Sequence, residues 1–277
     1  RAYFLSGFPW ALLGYSQYSI LPVIQIADLF GVYGVSFFIV LINAVFWHFF
    51  RHPDRAPFVV LGGGVALAAL VQGYGYLRLL EVPGEMGPPR PVGIVQPDTR
   101  PSTKWKPGRR EAIVGDLEKL TEALTADFSG RGRPVPPLIV WPEAAAPFVY
   151  SEEPRWQKRL AEIAERAGSY LLFGSLSARR AEGDPRLYNS AYLLGPDGTS
   201  AGRYDKMHLV PFGEYIPLRW LLFFVEKFVP IIGRFGEGEE AQIFDAPGGK
   251  FGVLICFEVI FPRVVRRMAG SGFLVNI

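Results

Sequence analysis

Two stretches of the chain, Gly31 to Phe50 and Ala56 to Leu77, contain no Asp, Glu, Lys or Arg. An α-helix rises 1.5 Å per residue, so about 20 residues cross the roughly 30 Å hydrocarbon layer of a membrane. Both stretches therefore predict transmembrane helices, since the core helices of soluble proteins rarely run so far without a charge. A third uncharged stretch, Tyr3 to about Ile26, is interrupted by Pro9 and Pro22. It predicts a further crossing, or part of one, followed by a bent entry segment. Between the two clear spans lies Arg51-His52-Pro53-Asp54-Arg55, a short basic loop of the kind that stays on the cytoplasmic side. That places the residues before Gly31, and everything after about Leu80, on the outer side.

The pattern then changes. Glu81-Val82-Pro83-Gly84-Glu85-Met86-Gly87-Pro88-Pro89 reads as a linker. From Pro91 onward, short β-branched runs alternate with charged amphipathic stretches, the signature of an α/β domain. The expected strands are Val92 to Gln96, Leu138 to Trp141, Tyr170 to Gly174, Ala191 to Leu194, Phe251 to Cys256 and Phe273 to Ile277. Helices are expected over Arg109 to Phe128, with Leu117, Leu120 and Leu124 on one face. Another is expected over Glu153 to Ala167, with Trp156, Leu160, Ile163 and Ala164 on one face. The domain expectation is a partial transmembrane region of about three helices over residues 1–85 and an α/β domain over 86–277. The chain stops inside an expected strand, which predicts that this domain continues beyond Ile277.

Composition narrows the function classes. The chain has 277 residues, 49% of them hydrophobic, and a net charge of +3. That surplus is too small to make a phosphate-reading surface, so no nucleic acid partner is expected. The single cysteine, Cys256, excludes an internal disulfide, and with only three histidines no metal centre is expected. No cofactor motif is present.

Three polar residues stand where α/β folds place reactive groups, at strand ends and in turn-rich loops. Glu143 closes Leu138-Ile139-Val140-Trp141-Pro142-Glu143, and Cys256 closes Phe251-Gly252-Val253-Leu254-Ile255-Cys256. Lys206 lies in Arg203-Tyr204-Asp205-Lys206-Met207-His208-Leu209-Val210-Pro211-Phe212-Gly213-Glu214-Tyr215. Singly, each has a bland reading: a small buried hydrophobe, a loop charge, a surface ion pair. Jointly, Trp141-Pro142-Glu143, the ordered run from Tyr204 to Tyr215, and Ile255-Cys256-Phe257-Glu258 resemble the nitrilase superfamily. The resemblance is closest to its membrane branch, the apolipoprotein N-acyltransferases. It reaches the apolar region through Gly7-Phe8-Pro9-Trp10, Gly14-Tyr15-Ser16-Gln17 and Gly31-Val32-Tyr33-Gly34-Val35-Ser36-Phe37. The chain departs from that branch at Phe257, where tyrosine is frequent.

The resemblance implies a nitrilase-like αββα sandwich attached to a bundle of transmembrane α-helices, with Glu143, Lys206 and Cys256 as a catalytic triad. Glu214, Glu258 and the backbone N–H of Phe257 would support it. Trp105 falls at a position near the family's substrate entrance. Phe223 and Phe224 lie in the apolar run Pro217 to Ile232, which is too short to span a bilayer and is expected to dip into its surface. The implied reaction moves an acyl chain from a phospholipid, through a Cys256 thioester, to the N-terminal amine of a diacylglyceryl-cysteine lipoprotein. It would take place on the periplasmic side of a bacterial inner membrane and without a cofactor. Two rivals remain: a membrane-tethered nitrilase-type amidase acting on small amides, and a non-catalytic membrane scaffold of the same fold.

Overall fold

The structure, a computed structural model, describes residues 9–52, 57–85, 89–106, 108–181, 184–216 and 235–277. The chain divides into two compact units, 1–89 and 90–277. In the first, a 3-10 turn (Leu13–Gln17) and the short α1 (Leu21–Ile24) precede two long helices, α2 (Ala27–Arg51) and α3 (Pro57–Glu85). The apolar windows of the long pair have mean hydropathies of 2.2 and 1.6, with only 6% and 11% of each buried. Phe37, Phe46, Trp47, Leu70 and Leu77 thus face outward. Both helices are long and apolar enough to cross a membrane, and apolar sides of this size favour hydrocarbon over water. Charges meet at one end of the pair, where Asp28 of α2 accepts from Tyr74 at 2.7 Å and Arg78 at 3.1 Å of α3. That contact joins the start of α2 to the end of α3, so the two run antiparallel.

Two expectations change here. The described part of the third uncharged stretch, residues 9–26, forms the 3-10 turn and α1, while residues 1–8 lie outside the described residues. The prolines divide it, and it packs closely on its neighbours: Gly14 donates its N–H to Ser36 Oγ at 2.9 Å, and a Cβ on Gly75 would lie 1.9 Å from the Pro22 carbonyl oxygen. Two long apolar helices, not a bundle, are present among the described residues. In addition, α3 runs to Glu85, into the expected linker.

The second unit is an α/β fold with two sheets. The larger orders its strands β1 (Val92–Ile94), β2 (Leu138–Val140), β4 (Tyr170–Ala181), β5 (Asp184–Leu194) and β6 (Ser200–Asp205), with β3 (Ala146–Val149) also paired to β4. The smaller joins β7 (Ile243–Ala246), β8 (Gly249–Leu254) and β9 (Phe273–Asn276). The parallel strands β1, β2 and β4 are linked through α5 (Arg110–Gly130) and α6 (Pro154–Ala167). One face of the large sheet buries Ile139, Trp141, Leu171 and Phe173 against Ile113, Val114 and Leu117 of α5 and Trp156, Leu160 and Ile163 of α6. The other buries Val140, Leu172, Ala191 and Leu193 against Phe244, Phe251 and Val253 of the small sheet.

Gly202 in β6 permits this sheet-on-sheet contact, because a Cβ there would meet the Phe244 ring at 2.8 Å. The far face of the small sheet meets Met268, which follows the short α7 (Pro262–Arg267); a Cβ on Gly252 would sit 2.8 Å from its Cβ. The layers therefore run helix, sheet, sheet, helix, with the last reduced to one short helix. After β8, a 3-10 turn (Cys256–Ile260) opens the path to α7.

Candidate active site

Strand ends bring the chemistry together. β2 pairs with Tyr170–Leu172 of β4, and β3 pairs with Ser175–Leu176 further along the same strand. In the gap between them the chain lifts away over Gly174, and Glu143 rides on that turn. Trp141 N–H donates to the Leu172 carbonyl at 2.8 Å and Gly174 N–H to the Pro142 carbonyl at 3.3 Å. Gly174 is required for the approach: a Cβ there would lie 2.4 Å from Ala144 N and 2.8 Å from Glu143 Cα. Lys206 follows β6 directly, with its N–H held by the Asn189 carbonyl at 2.8 Å. Cys256 follows β8, where its N–H donates to the Ile277 carbonyl and Ile277 N–H donates back to Leu254 at 3.0 Å.

The three side chains meet. Lys206, 1% exposed, places Nζ 3.0 Å from Glu214 Oε1 and 3.5 Å from Glu143 Oε1. Asn189 Nδ2 donates to the same two oxygens, at 2.8 Å each. Lysine, glutamate, asparagine and glutamate thus close a ring that spends Glu143 Oε1. The Cys256 thiol lies close enough to feel the charges of both Glu143 and Lys206. Burial would push the Lys206 pKa down, but Glu214 and then Glu143 outweigh it, so the pKa is raised and the group stays an ammonium. For Cys256, packing around the sulfur and the Glu143 charge push the thiol pKa up, against smaller opposing effects of Lys206 and the Phe257 N–H. A cysteine in such surroundings rests as a thiol and needs a base before it can attack.

Glu214 and Glu258 hold this arrangement from two directions. Glu214 grips Lys206 through Oε1 and the Val210 N–H through Oε2, at 2.8 Å. Glu258 is fully buried and accepts from Met207 N–H at 2.8 Å, His208 N–H at 3.0 Å and Ile255 N–H at 2.9 Å, with Tyr204 Oη 2.9 Å from both its oxygens. It joins the Lys206 loop to the Cys256 turn without touching either reactive side chain. Burial raises its pKa despite these donors. Phe257 is buried, its ring edge-on to Phe261 at 4.8 Å, and its N–H lies near enough to lower the Cys256 thiol pKa slightly.

Backbone strain concentrates in the same place. Among the described residues of this unit, Asp98, Ala144, Phe212 and Cys256 are the non-glycine residues with φ between 46° and 61°. Ala144 follows Glu143, Phe212 lies two residues before Glu214, and Cys256 is itself the nucleophile candidate. Such positions cost roughly 1–3 kcal/mol each and persist where the surroundings over-determine them.

Two further residues touch the site without having been singled out in the sequence. Asn189 sits inside β5, where the buried polar pair Asn189-Ser190 was the available signal. Lys104, ending α4 (Pro101–Lys104), donates to the Glu143 carbonyl at 2.8 Å, and burial lowers its pKa. Trp105 stands beside it, 48% exposed, and Phe223 and Phe224 lie outside the described residues. Among the described residues, no group of three or more His, Cys, Asp or Glu could hold a metal ion.

An α/β unit that brings a carboxylate, a buried ammonium and a thiol together from three strand ends has the groups that acyl chemistry through a cysteine would need. Residues 92–275 match the carbon-nitrogen hydrolase family, and the chain belongs to that family. Residues 1–45 match the apolipoprotein N-acyltransferase N-terminal domain. Over the whole chain it is 42% identical to the apolipoprotein N-acyltransferase of Geobacter metallireducens, of which it covers 53%. It is 32% identical to that of Brucella suis biovar 1, again over the whole chain and 52% of the relative. The chain thus spans about half the length of the curated relatives it matches. A carbon-nitrogen hydrolase from Helicobacter pylori G27 aligns with 67% of this chain and 58% of its own, at 22% identity and a TM-score of 0.47.

Proposed function

We propose that this chain carries the catalytic part of an apolipoprotein N-acyltransferase, which moves an acyl chain from a phospholipid to the N-terminal amine of a diacylglyceryl-cysteine lipoprotein. The observation that carries the reading is the meeting of Glu143, Lys206 and Cys256 in a chain that also has two helices apolar enough for a membrane. The relatives it matches in sequence bear that name. In the first half-reaction, Glu143 takes the thiol proton through the oxygen not committed to Lys206 and Asn189, and the sulfur attacks the ester carbonyl. The oxyanion is held by the Lys206 ammonium and the Phe257 N–H, donors typically worth about 3–4 kcal/mol each. As the tetrahedral intermediate collapses, the lysophospholipid alcohol leaves with the proton from Glu143, and a thioester remains on Cys256. In the second half-reaction, the lipoprotein amine attacks that thioester, Glu143 accepts its proton, and the sulfur departs to recover it.

The unit that bears this chemistry is placed on the periplasmic side of the inner membrane. Trp105, Phe223 and Phe224 are assigned to the path of the lipid chain, and that assignment rests on sequence. The test is intact-mass analysis of the full-length protein after exposure to phospholipid. One acyl adduct is expected on the native chain and none on Cys256→Ala, with adduct formation in Glu143→Gln slowed by about 10²–10⁴-fold. Unimpaired acylation of Glu143→Gln would remove that glutamate as base. Turnover of small amides without any lipid adduct would transfer the reading to an amidase.

A further inference from the structure

From Gln96 to Arg110 the chain carries Arg100, Lys104, Lys106, Arg109 and Arg110 against one acid, Asp98. Five positive charges less one give +4, while the whole chain is +3, so everything outside this segment sums to −1. Two of the five are engaged: Lys104 holds the Glu143 carbonyl at 2.8 Å, and Arg110 pairs with Glu153 at 3.2 Å. Arg100, Lys106 and Arg109 are exposed, and among the described residues none of them forms an ion pair or a side-chain hydrogen bond. Successive turns keep them close: Lys104 N–H donates to the Arg100 carbonyl at 3.1 Å, Lys106 N–H to Thr103 at 3.2 Å, and Arg109 N–H to Lys106 at 3.3 Å. The exposed indole of Trp105 stands among them.

Three unpaired cations coiled together repel one another, and an anionic surface laid against them relieves that repulsion. We propose that Arg100, Lys106 and Arg109, with Trp105, form a docking site for the anionic headgroups of phospholipids at the membrane surface. An indole prefers the headgroup level of a bilayer, where lysine and arginine pair with lipid phosphates. The same chain carries two helices suited to a membrane, the second ending at Glu85, fifteen residues before Arg100. A nucleic acid is disfavoured, since the remainder of the chain is slightly negative and one indole is no stacking platform. Lys104 gives the site a consequence: it links the docked segment to the turn that carries Glu143. The docking itself does not depend on acyl transfer and stands or falls whether or not Cys256 forms a thioester.

The experiment places an environment-sensitive fluorophore at Ser102→Cys, an exposed position of α4, in a Cys256→Ser background of the full-length protein. The protein is held in nanodiscs of phosphatidylcholine, with or without phosphatidylglycerol. A blue-shifted, quencher-protected signal is expected in the phosphatidylglycerol discs, fading at high salt. Each headgroup-facing cation is worth about a fivefold change, so Arg100→Gln, Lys106→Gln and Arg109→Gln together should lower the docking equilibrium constant on the order of a hundredfold. All three positions are exposed, and an unchanged melting transition confirms that the fold is kept. Inorganic phosphate at matched ionic strength should not displace the segment. Equal signals in both kinds of disc, a native signal from the triple variant, or displacement by inorganic phosphate would each overturn the proposal.

Discussion

Cys256 occupies a left-handed backbone position, φ 56°, between buried Ile255 and Phe257, so its side chain is turned outward from an otherwise apolar run. There the sulfur feels two opposing charges, Glu143 and Lys206. Packing around the sulfur comes first in raising its pKa above the usual 9.0, then the Glu143 carboxylate, while Lys206 works the other way. Because the chain has one cysteine, thiol alkylation reports this balance without ambiguity. The thiolate is the reactive form, so the alkylation rate of the native protein should still be climbing at pH 9. Glu143→Gln removes a negative neighbour and should move the midpoint to lower pH, whereas Lys206→Met removes a positive one and should move it higher. A midpoint that rises in Glu143→Gln would mean that the carboxylate does not face the sulfur.

At the level of elements, the site is a joint between the end of β6, the turn after β8 and the break between β2 and β3, and Glu258 is the pin of the first two. Its carboxylate faces three backbone N–H groups and one hydroxyl. Glu258→Gln keeps the shape but turns an NH₂ toward at least one of those donors, and an unsatisfied buried donor costs about 1–3 kcal/mol. Chemical denaturation should show a loss of that size, with slower acylation of Cys256 because the Lys206 loop is no longer fixed to the nucleophile turn. Unchanged stability would mean that water or a shifted loop satisfies the donors.

The elements that carry Glu143 and Cys256 were legible because their strands are short apolar runs that end at the reactive residue. The amphipathic helices α5 and α6 were legible from their spacing. Three strands were not. β3 contains Pro147, β6 is half exposed and broken by Gly202, and β7 is a four-residue strand whose place depends on Gly202 opposite Phe244. Asn189 was hidden for a related reason. Its role depends on register, since β5 pairs Asn189 with Leu176 and so sets it across from the Glu143 turn, and register is a tertiary property.

On the scale of the whole molecule, the chain combines an apolar hairpin with a unit proposed to act on a lipid, and orientation decides which side of the membrane that chemistry would serve. α2 and α3 bring Asp28 and Arg78 together at 3.1 Å, so the start of α2 and the end of α3 lie on one side of any membrane they cross. The end of α2 at Arg51 lies on the other, and the sequence that joins the two helices adds Arg55. Short loops rich in arginine stay in the cytoplasm, so the function proposed above requires Arg78, Glu81 and the chain that follows to face outward, where secreted lipoproteins present their N-termini. In intact cells expressing the full-length protein with Cys256→Ser, a cysteine at His52 should resist a membrane-impermeant maleimide until the inner membrane is opened. A cysteine at Ser102 should react as soon as the outer membrane is permeable. The reverse pattern would put Cys256 on the cytoplasmic side, away from the proposed lipoprotein acceptor, and would favour a small cytosolic amide as the substrate.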